Sequence, residues 1–124
     1  MNCLANHLGI PEKEALQLEI CIDEACANSI QAIRDIEGNN PSTKVRIEVK
    51  ICVESLRITV RDKGKDFSTS FNKAVPLSDF SDRTKKRGYG LQIIKTLMDD
   101  VQYQHEPEMG NSLHLVKYFS LFHG

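Results

Sequence analysis

At 124 residues and 14.0 kDa the chain has the size of one domain. Hydrophobic residues make up 40%, enough for a single core, and the formal net charge of -1 gives no general electrostatic attraction to nucleic acid or membrane surfaces. No apolar run approaches the ~20 residues of a membrane span. The opening MNCLANHLGI lacks the basic start and long apolar stretch of a signal peptide, so the expectation is a cytoplasmic protein. Cys3, Cys21, Cys26 and Cys52 form no C-x-x-C and sit at no zinc-finger spacing from a histidine. They read as reduced, mostly buried small hydrophobes.

Met1–Leu8 reads as a short helix or the tail of a longer one, broken by Gly9-Ile10-Pro11. Pro11 suits the first position of a new helix, and Glu12 and Glu14 favour its positive end. That helix runs to about Glu37, where Gly38-Asn39 supplies a left-handed stop. At about 100° per residue, Gln17, Glu24, Asn28, Gln31 and Asp35 form one narrow polar stripe. Leu18, Ile22, Ala25, Ile33 and Ile36 form the opposite, core-facing surface. Alone, the stripe fits an ordinary solvated face; its apolar shoulders also suit a pocket wall.

Lys44–Val53 alternates, with Val45, Ile47, Val49 and Ile51 on one face, which predicts a half-buried strand. Leu56, Ile58 and Val60 predict a second strand, joined to the first through a tight Glu54-Ser55 turn as a hairpin. Asp62-Lys63-Gly64-Lys65-Asp66-Phe67 leaves the hairpin. Residues 68–87 are polar and weakly patterned, with a basic cluster of Arg83, Lys85, Lys86 and Arg87. A segment like this inside a compact domain is usually functional or mobile. Gly88-Tyr89-Gly90 opens a second helix carrying Leu91, Ile94, Leu97, Met98 and Val101. Tyr103–Glu108 reads as strand end and turn, and Gly110–Phe122 as a final strand with Leu113, Leu115 and Lys117 on one side. The expected fold class is α+β: a two-layer sandwich whose mixed, mostly antiparallel sheet carries helices on one face.

Three features suit a nucleotide. Glu24 and Asn28 stand one helical turn apart and offer a carboxylate and a neutral oxygen, donors a hard cation such as Mg2+ accepts beside phosphates. Asp62 at a strand end can accept a hydrogen bond from an exocyclic amine, and Gly64 lets a flat ligand approach the backbone. Gly88-x-Gly90 at a helix start offers free N–H groups to a phosphate. None of the three is specific alone; D-x-G is common in turns, and there is no P-loop. Their order and spacing carry the weight.

The combination resembles the GHKL, or Bergerat-fold, ATPases, closest to the bacterial anti-sigma factor serine kinases and their histidine-kinase-like ATPase relatives. IDEACANSI resembles the family's N-box, VRDKGKDF its adenine box, RGYGLQIIKTLMDDV its phosphate-side glycine box, and GNSLHLVKYF its final strand motif opened by Gly110. The resemblance implies Glu24 as general base and Asn28 as Mg2+ ligand. It implies Asp62 and Gly64 at adenine, and Arg87, Gly88, Tyr89, Gly90 and Leu91 at the triphosphate. Residues 68–87 take the place of the ATP lid, within a single domain over 1–124. Asp66 stands where a second glycine often stands in the family, and Ser68 where an acidic residue often does. The family's first strand and most of its first helix, which contribute to its dimer, have no counterpart here. The implied cofactors are ATP and Mg2+. The implied partners are a sigma factor, an anti-anti-sigma (STAS-type) protein bearing the acceptor serine, and a second copy in a homodimer, with no nucleic acid and no membrane. The alternatives are a nucleotide-binding partner switch without turnover and a detached histidine-kinase ATPase domain. The latter needs a phosphoacceptor histidine on a dimerising helix pair, for which 124 residues leave no space.

Overall fold

The computed structural model describes residues 10–76 and 90–119. The long helix α1 spans Glu12–Glu37. Pro11 takes the capping position rather than the first helical one: its φ of -55° and ψ of 143° are extended, and its carbonyl accepts from Ala15 N–H at 3.0 Å. At the other end Gly38 has φ +82° and donates to the Arg34 carbonyl, the left-handed stop the sequence predicts. The buried face of α1 is built of small residues, Ala15, Cys21, Ala25, Ser29 and Ala32, with Leu18 and Ile33. Small side chains let neighbouring backbone come close, which matters below. Ile36, expected in the core, is 62% exposed, because the last turn of α1 runs past its packing partners.

Strands β1 (Arg46–Ile51), β2 (Ser55–Asp62), β3 (Asp100–Glu106) and β4 (Gly110–Tyr118) form one sheet in the order β1-β2-β4-β3. Every pairing among the described residues is antiparallel. The hairpin turn lies one residue earlier than predicted. Ile51 pairs with Leu56, Cys52 N–H donates to the Ser55 carbonyl, and Val53-Glu54 make the bend. Ser55 is thereby a buried member of β2. Leu56, Ile58, Val60, Leu113 and Leu115 fill the helix-facing side of the two central strands. Their alternation with Arg57, Thr59, Arg61 and His114 leaves the other face polar and, among the described residues, without helices. β1 departs from the expected half-burial: all six residues are exposed.

Two further elements correct the sequence expectation. Ser68–Lys73, the start of the weakly patterned segment, is a short helix, α2. It is held by Lys95, whose ammonium donates to the Phe71 and Ala74 carbonyls and sits 4.0 Å above the Phe71 ring. Residues 77–87 of that segment, with its four cations, lie outside the described residues, as do the predicted helix over Met1–Leu8 and the end of the last strand. The second predicted helix, α3, covers Gly90–Leu97 and stops sooner than its pattern. Met98 still packs in the core, but Val101 belongs to β3, which runs seven residues where only a strand end was expected. Lys117 closes α3 by donating to the Leu97 carbonyl at 2.9 Å.

Candidate functional site

Glu24, Asn28 and Ala32 follow one another at four-residue intervals on α1, a line spanning about 12 Å. A different glycine meets each end. Gly90, the first residue of α3, stands over Glu24 and Asn28: a Cβ there would lie 2.7 Å from Glu24 Oε2 and 3.4 Å from Asn28 Nδ2. Gly64 stands over the next turn: a Cβ there would lie 2.5 Å from the Ala32 carbonyl oxygen and from the Ile33 amide nitrogen. Lys65 N–H fastens the same loop to the Ala32 carbonyl at 2.8 Å. The missing side chain of Gly64 makes room for the backbone of α1.

Glu24, Asn28, Gln31, Lys73, Gly90 and Gln92 line an open cleft of about 910 Å3. An adjoining cavity of about 360 Å3 shares Asn28, Gln31 and Leu91 and continues to Lys65 and Asp66. Glu24, Asn28, Gly90 and Leu91 are therefore brought together as expected. Asp62 is not on the cleft wall. It lies at the end of β2, 3% exposed, and lines a separate cavity of about 620 Å3 with Lys44, Arg46 and Lys63. Arg87, Gly88 and Tyr89 lie outside the described residues.

The environment of Asp62 is polar and asymmetric. Its Oδ1 accepts from Gly64 N–H and from Asn111 Nδ2, each at 2.8 Å, while its Oδ2 is buried with no partner. A buried carboxylate oxygen left without a donor is costly unless a ligand supplies one. Asn111, 1% exposed, also donates to the Lys65 carbonyl at 2.9 Å, and its Oδ1 accepts from Tyr103 and from His105 Nδ1. The Tyr103 hydroxyl also accepts from Phe67 N–H and lies 2.9 Å from the Asp66 carboxylate. Burial, first of all, pushes the Tyr103 phenol above its ordinary pKa, so it stays a neutral hydroxyl. Donation from the Ser68 backbone amide holds the Asp66 carboxyl below its ordinary range. Phe67 and Phe71 pack on the Tyr103 ring at centroid distances of 4.4 and 5.5 Å.

Sequence reasoning missed Asn111, Tyr103 and Lys73. A signal for Asn111 was present: alternation along β4 puts it on the core side with Leu113 and Leu115, where a polar residue requires a buried partner. Tyr103 pairs with Leu113 from a strand of which only the end was expected, and Lys73 reaches the cleft only because α2 forms.

The residues present fit a magnesium–nucleotide. The Asn28 amide nitrogen is buried without a partner, and half a turn of the amide presents its oxygen at the same place. Glu24 adds a second oxygen donor beside it, and Asp62 keeps a bare acceptor.

Among the described residues no helix is long and apolar enough to cross a membrane. Residues 1–117 match the family model described as the histidine kinase-like ATPase domain. The chain is 31% identical over 109 residues to an anti-sigma F factor of Oceanobacillus iheyensis, covering 86% of this chain and 71% of that one. It is 26% identical over 109 residues to the anti-sigma F factor of Bacillus subtilis, with the same coverage. It is 32% identical over 111 residues to the serine-protein kinase RsbW of Bacillus mycoides, covering 86% of this chain and 66% of that one. Helices on one face of an antiparallel sheet, the Glu24–Asn28 line under Gly90 and the match over residues 1–117 agree: the chain belongs to the histidine kinase-like ATPase domain family.

Proposed function

We propose that the domain binds ATP with Mg2+ and is a protein serine kinase and anti-sigma factor. In this reading it phosphorylates an anti-anti-sigma (STAS-type) protein and alternates between that partner and a sigma factor. The observation that carries the reading is the meeting of Glu24, Asn28 and Gly90 in one cleft, with a glycine where any side chain would push Glu24 aside. The names of the relatives, anti-sigma F factor and serine-protein kinase, supply the partner class.

Phosphoryl transfer depends on positioning and charge stabilisation. Asp62 accepts the amino group of the base through its free Oδ2, held in place by Asn111 and the Gly64 amide. Asn28 would hold the metal–phosphate end, where Mg2+ would supply neutralisation of phosphate charge. Lys73, which also lines the cleft, adds a protein cation there. Glu24 aligns the acceptor serine hydroxyl and takes its proton as the oxygen bonds to the γ-phosphorus. The bond from the γ-phosphorus to the bridging oxygen breaks and ADP leaves.

The test is transfer from labelled ATP to a STAS-type protein of the same genome, with Mg2+. Wild type is expected to yield phosphoserine on the partner. Glu24→Ala is expected to lose about 10²–10⁴-fold in transfer while retaining ATP binding. Wild-type transfer by that variant removes Glu24 from the mechanism. ATP binding without transfer to any partner replaces the kinase by a nucleotide-dependent switch, and no ATP binding overturns both.

A further inference from the structure

Asn111 has no capacity left for a ligand. Its Nδ2 spends one hydrogen on Asp62 Oδ1 at 2.8 Å and the other on the Lys65 carbonyl at 2.9 Å. Asp62 Oδ1 also accepts from the Gly64 amide, and the second partner is a carbonyl, so both call for a donor. The amide therefore stands one way round, with its Oδ1 towards Tyr103 and His105. That oxygen must receive: His105 carries a proton on Nδ1 and donates at 2.8 Å, and the Tyr103 hydroxyl donates beside it. The direction of the bare Asp62 Oδ2 is thus set by an amide that two further side chains hold.

Tyr103 has one hydroxyl proton and two claimants for it. Its oxygen accepts from Phe67 N–H at 2.9 Å, while its hydrogen faces Asn111 Oδ1 and, with the oxygens 2.9 Å apart, Asp66 Oδ1. Exposure decides between them. Asp66 is exposed and its Oδ1 already accepts from the Ser68 amide at 2.8 Å, so water serves what remains. Asn111 is 1% exposed, and an amide oxygen that loses a donor there has no water to replace it. The proton therefore belongs to Asn111. Phe67 and Phe71, both packed on the Tyr103 ring, keep the hydroxyl in this place.

We propose that Tyr103 is a positioning residue of the base site: through Asn111 its hydroxyl aims the Asp62 carboxylate, and so sets how strongly the site prefers a purine with an exocyclic amine over one without. The proposal rests on the reading of Asp62 as the acceptor of the base amino group. Tyr103 acts through Asn111 and not by contact with the ligand, since its hydroxyl spends its bonds within the protein. Without the hydroxyl, Asn111 Oδ1 keeps only His105, and the amide gains freedom to turn. Asp62 Oδ1 then loses a fixed donor, and Oδ2 loses the direction in which a ring amine must meet it.

The experiment is calorimetric titration of the full chain, with Mg2+, by ATP and by purine riboside triphosphate, which is ATP without the 6-amino group. Circular dichroism confirms that each variant is folded. Wild type is expected to bind ATP about tenfold tighter or more than the amine-free nucleotide. Tyr103→Phe keeps the ring and its packing and removes only the hydroxyl. It is expected to weaken ATP about fivefold while leaving the amine-free nucleotide within about twofold of wild type, so the preference shrinks. In an Asn111→Ala background, where the link is already broken, the same substitution is expected to shrink the preference no further. A wild type that binds neither nucleotide, or both equally, overturns the reading of Asp62 and this proposal with it. A wild type that prefers ATP overturns the proposal alone if Tyr103→Phe prefers it as strongly or weakens both nucleotides alike. A loss of preference that Tyr103→Phe still causes in the Asn111→Ala background overturns it too, because the hydroxyl then acts by another route.

Discussion

Gly64 and Gly90 both lack a side chain for want of room, but what fills the room differs. At Gly64 it is the main chain of α1, which cannot move aside; at Gly90 it is the tip of the Glu24 carboxylate, which can. Gly64→Ala is therefore expected to destabilise the fold by about 2–3 kcal/mol, read from urea unfolding. Gly90→Ala is expected to change stability by under about 1 kcal/mol while lowering transfer, because Glu24 swings out of place. Equal losses of stability at the two positions would show that Glu24 is as rigid as the backbone. His114 supplies a different handle. It pairs with Thr59 at 3.0 Å on the helix-free face, and burial, reinforced by the Arg61 guanidinium, lowers its pKa below the ordinary 6.5. The unfolded chain then binds the imidazole proton more readily than the folded one. Its effect is absent above the ordinary pKa, and stability falls as pH drops from there towards the depressed folded value. Unfolding midpoints taken between neutral and mildly acidic pH should show this fall in wild type and a shallower one in His114→Gln.

At the scale of elements, what was legible followed strong periodicity. α1 announces itself through a proline, two acidic residues, a long helical period and a glycine stop, and it spans Glu12–Glu37. β2 and β4 alternate cleanly and are the central strands. The period gave no warning at β3, because Asp100–Glu106 alternates Val101, Tyr103 and His105 with polar residues, and two of these three are themselves polar. The sequence of α3 reads as a longer helix because Met98 and Val101 continue its apolar spacing into the strand. α2 has no buried residue to mark it and exists through contacts with Lys95 and Tyr103. The candidate site divides along the same line. Glu24, Asn28 and Gly90 were readable because each sits in a recognisable pattern. Asn111, Tyr103 and Lys73 were not, because their roles arise from strand pairing and from a helix that local sequence does not specify. β1 shows the converse error: alternation correctly assigns its faces but cannot tell whether anything covers them.

Across the whole molecule the pocket is assembled from positions far apart in the chain. α1 and the β1–β2 hairpin are local structures, and each can form before the rest of the chain is present. Asp62 belongs to that early part, but the Asn111 amide that orients it is 49 residues away, on the strand that completes the sheet. The order of folding follows from this. Contacts within α1 and the hairpin are candidates for the transition state, whereas the Asp62–Asn111 bond closes a long loop and should form after it. Asn111→Ala is then expected to speed unfolding while leaving the refolding rate nearly unchanged, as stopped-flow measurements would show. A matching slowdown in refolding would place strand closure in the rate-limiting step instead. During synthesis the consequence is temporal. A ribosome-bound chain carries Asp62 well before Asn111 emerges, so the Asp62 carboxylate has only the Gly64 amide to aim it until β4 docks.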